Sequence, residues 1–269
     1  LTTIELSVFQ DCDKLKSISI PSSVQIIESS AFQKCSSLTN ISFQEPSNLT
    51  EIGFCGFGEC EELKSISIPS SIKTIESGAF QKCLNLESVS FQEPSNLRKI
   101  GEQSFSNCIN LKTIELPSQV KEIASYSFEG CTKLESLIIL SNISEIKDYA
   151  FFDCSNLSCI SYYGIDEPIV SQNAFQGCNK LDNIFTSLTY SSEKIGSFNV
   201  TKISDISHVC RSIDSADSSN HLKSGVIACI VIFSIVFIVF ICIILYFTVF
   251  KRMKNKKQVK KYTININSF

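Results

Sequence analysis

The chain has 269 residues, 24 of them basic and 27 acidic, for a net charge of −3. Seven basic residues and no acidic one fall in residues 251–269, so residues 1–250 hold 17 basic against 27 acidic side chains, a net charge of −10. That balance argues against nucleic acid as a partner, because such binding rests on basic contacts to phosphate; the two histidines, His208 and His221, signal no nucleophile–base arrangement and so argue against an enzyme.

Residues 1–185 repeat. KSISIPSS stands at Lys16–Ser23 and again at Lys64–Ser71, 48 residues on. The sharper marker is Phe-x-x-Cys-x-x-Leu, at Phe9, Phe32, Phe57, Phe80, Phe105, Phe128, Phe151 and Phe175, in steps of 23 to 25 residues. The 48-residue identity is thus a duplicated pair within an older single repeat. The longer repeats differ in one place, where PSS becomes QEPSN. An insertion confined to Pro, Ser and Asn marks a turn.

Within each repeat, Leu-x-x-Ile-x-Ile, as at Leu15–Ile20, alternates apolar and polar and predicts a short strand with one buried face. Pro21, Pro69 and Pro117 end it. An extended piece follows, with apolar residues eight and five before the Phe, such as Val24 and Ile27. Ala-Phe-x-x-Cys predicts one tight helical turn. About seven apolar side chains per coil, worth roughly 1.5–3 kcal/mol each, do not offset an ordering cost of about 1–2 kcal/mol per residue. Coils therefore stack, Phe on Phe, with a parallel strand ladder. Leu1 and Ile4 already fill the eight-before and five-before places of Phe9, so the expectation is an N-terminally incomplete array. In the last repeat Glu167 stands where the eight-before apolar residue belongs.

Residues 186–224 are Ser-rich and lack the marker; they predict a partial end cap (Tyr190, Ile195, Phe198) and then a stalk. Gly225–Phe250 is 26 residues without a charge, longer than the roughly 20 needed to span a bilayer as a helix. The basic run Lys251–Lys261 follows at once. The positive-inside rule then predicts a plasma-membrane protein with one span, the repeats outside and residues 251–269 as a cytoplasmic tail, its basic groups near the lipid bilayer.

Eleven of thirteen cysteines precede the span. Eight of them (12, 35, 60, 83, 108, 131, 154, 178) form one column of an apolar stack, where a thiol acts as a small hydrophobe and parallel side chains pair poorly. One Cys per coil makes no tetrahedral cluster, so no metal and no other cofactor is expected. Cys55, Cys159 and Cys210 lie off the column, and a cross-link between chains through Cys210 in the stalk is the lesser alternative. Cys229 and Cys242 are apolar fill in the span.

The strand positions that face away from the core form two columns. One is Ser17, Asn40, Ser65, Ser88, Thr113, Ser136, Cys159, Asn183; the other is Ser19, Ser42, Ser67, Ser90, Glu115, Ile138, Ser161, Phe185. This predicts a flat hydroxyl-lined face that turns apolar toward its C-terminal end. Ser17, Ser19, Ser65, Ser67, Ser88, Ser90, Thr113 and Glu115 are its candidate binding residues. Duplication alone also copies serines, and the turns Glu45–Asn48 and Glu93–Asn96 are the rival site. Asn40, Asn48, Asn142, Asn156 and Asn199 head candidate N-glycosylation triplets.

The text Leu-x-x-Ile-x-Ile-Pro-x-x-Val-x-x-Ile-x-x-x-Ala-Phe-x-x-Cys, almost whole at Leu15–Cys35 and Leu63–Cys83, resembles the BspA-like leucine-rich repeats found on bacterial and parasitic-protist surfaces. The resemblance covers residues 1–185. It implies a leucine-rich-repeat solenoid, β-rich with short helical turns and a parallel β ladder; the single C-terminal transmembrane helix is read separately, from the uncharged run Gly225–Phe250. It also implies surface attachment and recognition of an extracellular protein or glycan, with no active site and no small-molecule substrate. The expectation is an adhesin or recognition protein. The alternative is a ligand-binding receptor that signals through a partner recruited by its tail.

Overall fold

The structure, a computed structural model, describes residues 1–211. Each coil contributes one four- or five-residue strand: Ser17–Ile20, Asn40–Phe43, Ser65–Ile68, Ser88–Phe91, Thr113–Leu116, Ser136–Ile139, Cys159–Tyr162 and Asn183–Ser187. The first two pair in parallel, and the last six form one parallel ladder in chain order. The register keeps like residues together: Ile66 opposite Val89, and Ile114 opposite Leu137. The alternation of Ser-Ile-Ser-Ile sets this, since a one-residue slip would turn every isoleucine outward. Two-residue strands, from Thr3–Ile4 through Ile169–Val170, make further parallel ladders.

The phenylalanines stack as a column from Phe9 to Phe175, with neighbouring rings 5.0 to 5.6 Å apart and within 9° of parallel. Phe198 ends the column edge-on, at 5.3 Å and 81°. Phe32 through Phe151 are fully buried.

The Ala-Phe-x-x-Cys segment is not helical; no helix occurs among the described residues. Its amides alternate instead between two kinds of partner. Ser30, Phe32 and Lys34 donate to Phe54, Gly56 and Gly58 of the next coil, while Ala31, Gln33 and Cys35 donate to Glu28, Ser30 and Phe32 of their own. A helix would send every amide inward along its own turn. The alternation needs left-handed backbone two residues either side of the Phe, and coil after coil shows it: Ser30 (φ 55°) and Lys34 (61°), Gln103 (54°) and Asn107 (59°), Tyr149 (57°) and Asp153 (60°). Gly78, Gly130 and Gly177 occupy the same places, where lack of a Cβ removes the strain.

The cysteine column has a polar task besides packing. Each Phe carbonyl accepts the amide of the Cys three residues on, as Phe9 does from Cys12 at 3.3 Å. Its second lone pair faces the next coil, whose thiol donates to it: Cys35 Sγ to Phe9 O at 3.1 Å, Cys83 to Phe57 at 3.2 Å, Cys178 to Phe151 at 3.1 Å. A small side chain with a weak donor satisfies an otherwise buried acceptor. Burial pushes these thiols up, Cys35 to about 11 and Cys83 and Cys131 to about 12, and Cys60, Cys108 and Cys154 upward as well.

The last repeat stays in the stack despite Glu167. Ile169–Val170 pairs with Glu145–Ile146, Pro168 is buried, and Tyr162 fills the interior with its hydroxyl donating to Asp166 O at 2.9 Å. An apolar cavity of about 10 Å³ remains among Ile139, Ile160, Tyr162, Phe175 and Ile184, about one water's worth and too small for a ligand.

Residues assigned to a partial cap and stalk belong to the folded body as far as they are described. Phe198–Ile203 adds a strand beside Asn183–Ser187, and Lys194–Ile195 folds back antiparallel on it. Phe198 and Val200 pack on the core, and Tyr190 and Ile195 are buried. Among the described residues no helix is long and apolar enough to cross a membrane; the predicted span Gly225–Phe250 and the basic tail lie outside them.

Candidate binding face

The outward columns share one side of the sheet, as period-two alternation requires. Ser17, Ser19, Asn40, Ser42, Ser65, Ser67, Ser88 and Ser90 are all exposed. Register aligns them into rows, Ser17 opposite Asn40, Ser19 opposite Ser42, Ser65 opposite Ser88, and Ser67 opposite Ser90. Thr113, aligned with Ser88, is half-buried, and so is Glu115.

From the sixth coil the face is covered. Ser136, Ile138, Cys159 and Ser161 are buried although they point away from the core. The cover is the chain itself. After Phe198–Ile203, residues 205–211 run back over the sheet in turns. Cys210 forms a disulfide with Cys159 within the chain, so neither is a free thiol and the lesser alternative, a cross-link between chains through Cys210, gives way to this bond. The Cys210 sulfur lies 3.2 Å from Ser161 Oγ, and Val209, Leu140, Tyr163 and Phe185 pack around it with Ile138. Arg211 reaches further, to Glu115, with Nη2 at 2.9 and 2.8 Å from the two carboxylate oxygens. Burial raises the Tyr163 hydroxyl, against a lowering by Arg211.

The apolar end predicted for the face is therefore the seat of this strap, and Glu115 is an ion-pair partner. Sequence reasoning missed the disulfide. The signal was there: Cys159 stands where other coils hold Ser, Thr or Asn, and Cys210 is the other cysteine out of pattern near it in the chain.

The rival turns are internally tied. Glu45 accepts Ser47 N at 3.0 Å and Gln92 Nε2 at 3.0 Å, and Glu93 accepts Ser95 N at 2.9 Å. Glu45–Pro46 and Glu93–Pro94 are both cis. The asparagines divide. Asn48, Asn142 and Asn156 donate Nδ2 to Ser22 O, Asp166 Oδ2 and Thr132 O at 2.9, 2.7 and 2.6 Å. Asn96, which heads no glycosylation triplet, makes the same bond to Ser70 O at 3.0 Å, so this place in the coil is structural. Asn40 and Asn199 are exposed in the outward column.

Among the described residues no cluster of three or more His, Cys, Asp or Glu is placed to hold a metal. The model of the BspA type leucine rich repeat region matches residues 2–123 and 98–224, in six copies. The chain belongs to the BspA-type leucine-rich repeat family. A leucine-rich repeat protein of T. pallidum is 30% identical over 62% of this BspA-type chain and 78% of its own, with a TM-score of 0.52. One from Bacteroides ovatus is 27% identical over 69% of this chain and 59% of its own, with a TM-score of 0.44. No curated protein matches the chain. The T. pallidum structure is in keeping with a BspA-type solenoid of stacked parallel strands.

Proposed function

We propose that the chain is a cell-surface recognition protein, an adhesin, that holds an extracellular protein or glycan against the open end of its sheet face. The observation that supports this is the set of exposed small polar residues on two neighbouring parallel ladders, Ser17 to Ser42 on one and Ser65 to Ser90 on the next. Parallel strands repeat such donors and acceptors every ~4.8 Å. One hydrogen bond nets about 1 kcal/mol, so affinity comes from number. The uncharged stretch Gly225–Phe250 and the basic residues after it support a plasma-membrane location with the repeats outside.

The test is the full chain displayed on cells. Changing Ser65, Ser88 and Thr113 together to Lys crowds the face; attachment should fall at least tenfold at equal surface level. Replacing QEPSN by PSS at both turns should leave attachment intact. The opposite pattern would move the site to the turns. Deleting residues 251–269 should preserve attachment in an adhesin, whereas a receptor would keep binding and lose its response.

A further inference from the structure

We propose that the C-terminal end of the sheet face is a peptide-binding seat, that residues 205–211 are its resident occupant, and that reduction of Cys159–Cys210 frees it for a partner segment with small apolar side chains followed by arginine. The strap itself defines that chemistry. Val209 and Cys210 sit against Ile138, Cys159 and Phe185, and Arg211 clamps Glu115 with both carboxylate oxygens. The seat is drawn from four adjacent strands, those of Glu115, Ile138, Cys159 and Phe185, so it exists without the strap.

Three observations make the strap a separable occupant and not part of the stack. Residues 207–211 form turns, and no part of 205–211 adds a strand to the sheet. Among the described residues, one disulfide and one ion pair tie strap side chains to the seat. The fit leaves buried polar atoms without a protein partner, Ser136 Oγ in the covered column and Arg211 Nε in the strap. Each such atom costs free energy that release returns, and segments with few backbone ties open locally before the core does.

The release step balances with a small dithiol or thiol as reductant. A reductant thiolate attacks Cys210 Sγ, the bond between the two sulfurs breaks, and Cys159 leaves as a thiolate that takes a proton. A second reductant thiol displaces Cys210 from the mixed disulfide. Two electrons and two protons pass to the pair, and the reductant leaves as its own disulfide. With Cys210 freed, the covalent tie is gone and the strap keeps its part-buried ion pair and its apolar contacts.

The seat adjoins the open hydroxyl field of the proposed function but takes a different partner, so peptide binding and cell attachment succeed or fail separately. The probe is a fluorescent peptide with the sequence of residues 203–211 carrying Cys210→Ser, measured by polarisation on the full chain in detergent micelles. The parent should not bind it. The variant Cys210→Ser/Arg211→Ala, whose strap has lost both ties, should bind it with a micromolar Kd, and adding Glu115→Gln should weaken that at least tenfold. Trypsin should cut after Arg211 of the parent at least tenfold faster once dithiothreitol is added. Equal peptide binding by parent and variant, binding indifferent to Glu115→Gln, or cleavage unchanged by reduction would each overturn the proposal. So would loss of the cooperative melt in Cys210→Ser/Arg211→Ala, with the same loss in Cys159→Ala/Cys210→Ala, because the strap would then be a brace of the fold.

Discussion

Arg211 Nη2 donates to both carboxylate oxygens of Glu115, at 2.9 and 2.8 Å, across 96 residues of sequence. Both side chains keep about a third of their exposure, 30% and 36%. Solvent screens such a pair, so Arg211→Ala should cost no more than about 1 kcal/mol in a urea melt. A loss of 3 kcal/mol or more would mean the guanidinium is a stabilising element of the core.

The inward and outward columns should respond differently to truncation. Phe80→Ala removes one ring from the middle of the stack and should cost about 3–5 kcal/mol. Ser67→Ala on the open face should lie within about 0.5 kcal/mol of the parent. Equal shifts in melting temperature would show that the two columns had been assigned to the wrong sides.

Alkali should loosen the stack before it reaches the lysines. The column thiols have folded pKa values raised above the usual 9.0 by burial, Cys35 to about 11 and Cys83 and Cys131 to about 12. Between pH 9 and those values the unfolded chain loses these protons and the folded chain keeps them. The stability they supply is therefore complete below pH 9 and falls as pH rises, by up to about 1.4 kcal/mol per pH unit for each such thiol. Urea midpoints from pH 8 to 11 should show the decline, and a flat profile would mean that the thiols ionise equally in both states.

The left-handed positions offer a gain. Lys82 is exposed with φ 57°, two residues after Phe80, where two other coils use glycine. Lys82→Gly should stabilise by several tenths of a kcal/mol to about 1 kcal/mol by relieving the contact of Cβ with the backbone. Lys82→Val should destabilise. A glycine variant less stable than the parent would place the lysine side chain in a contact of its own.

The repeat, the strand faces and the phenylalanine stack were legible because each depends on spacing alone. The turn around each Phe was not. Ala-Phe-x-x-Cys has helical spacing, and what overrides it is hydrogen bonding to the neighbouring coil, which a single repeat does not display. Gly78, Gly130 and Gly177 at Phe minus two and plus two carried the hint. The cysteines were placed in the apolar column, but their bond to the preceding Phe carbonyl lies between coils and leaves no mark in one repeat. The strap escaped for a third reason. Its seven residues mix polar and apolar types without the marker, and they fold back across 96 positions to a carboxylate that breaks a run of serines in its column.

That fold-back also constrains how such an array lengthens. The strap is tied at Cys159 and at Glu115, and the distance between those two strands sets the match. A coil inserted between Glu115 and Cys159 would move one anchor by about 4.8 Å relative to the other and break the match. A coil inserted before Glu115 leaves both anchors where they are. The near-identical blocks at Lys16–Cys35 and Lys64–Cys83 both precede Glu115. Copy number can drift in the N-terminal coils by unequal recombination, while the C-terminal coils are held to a fixed count.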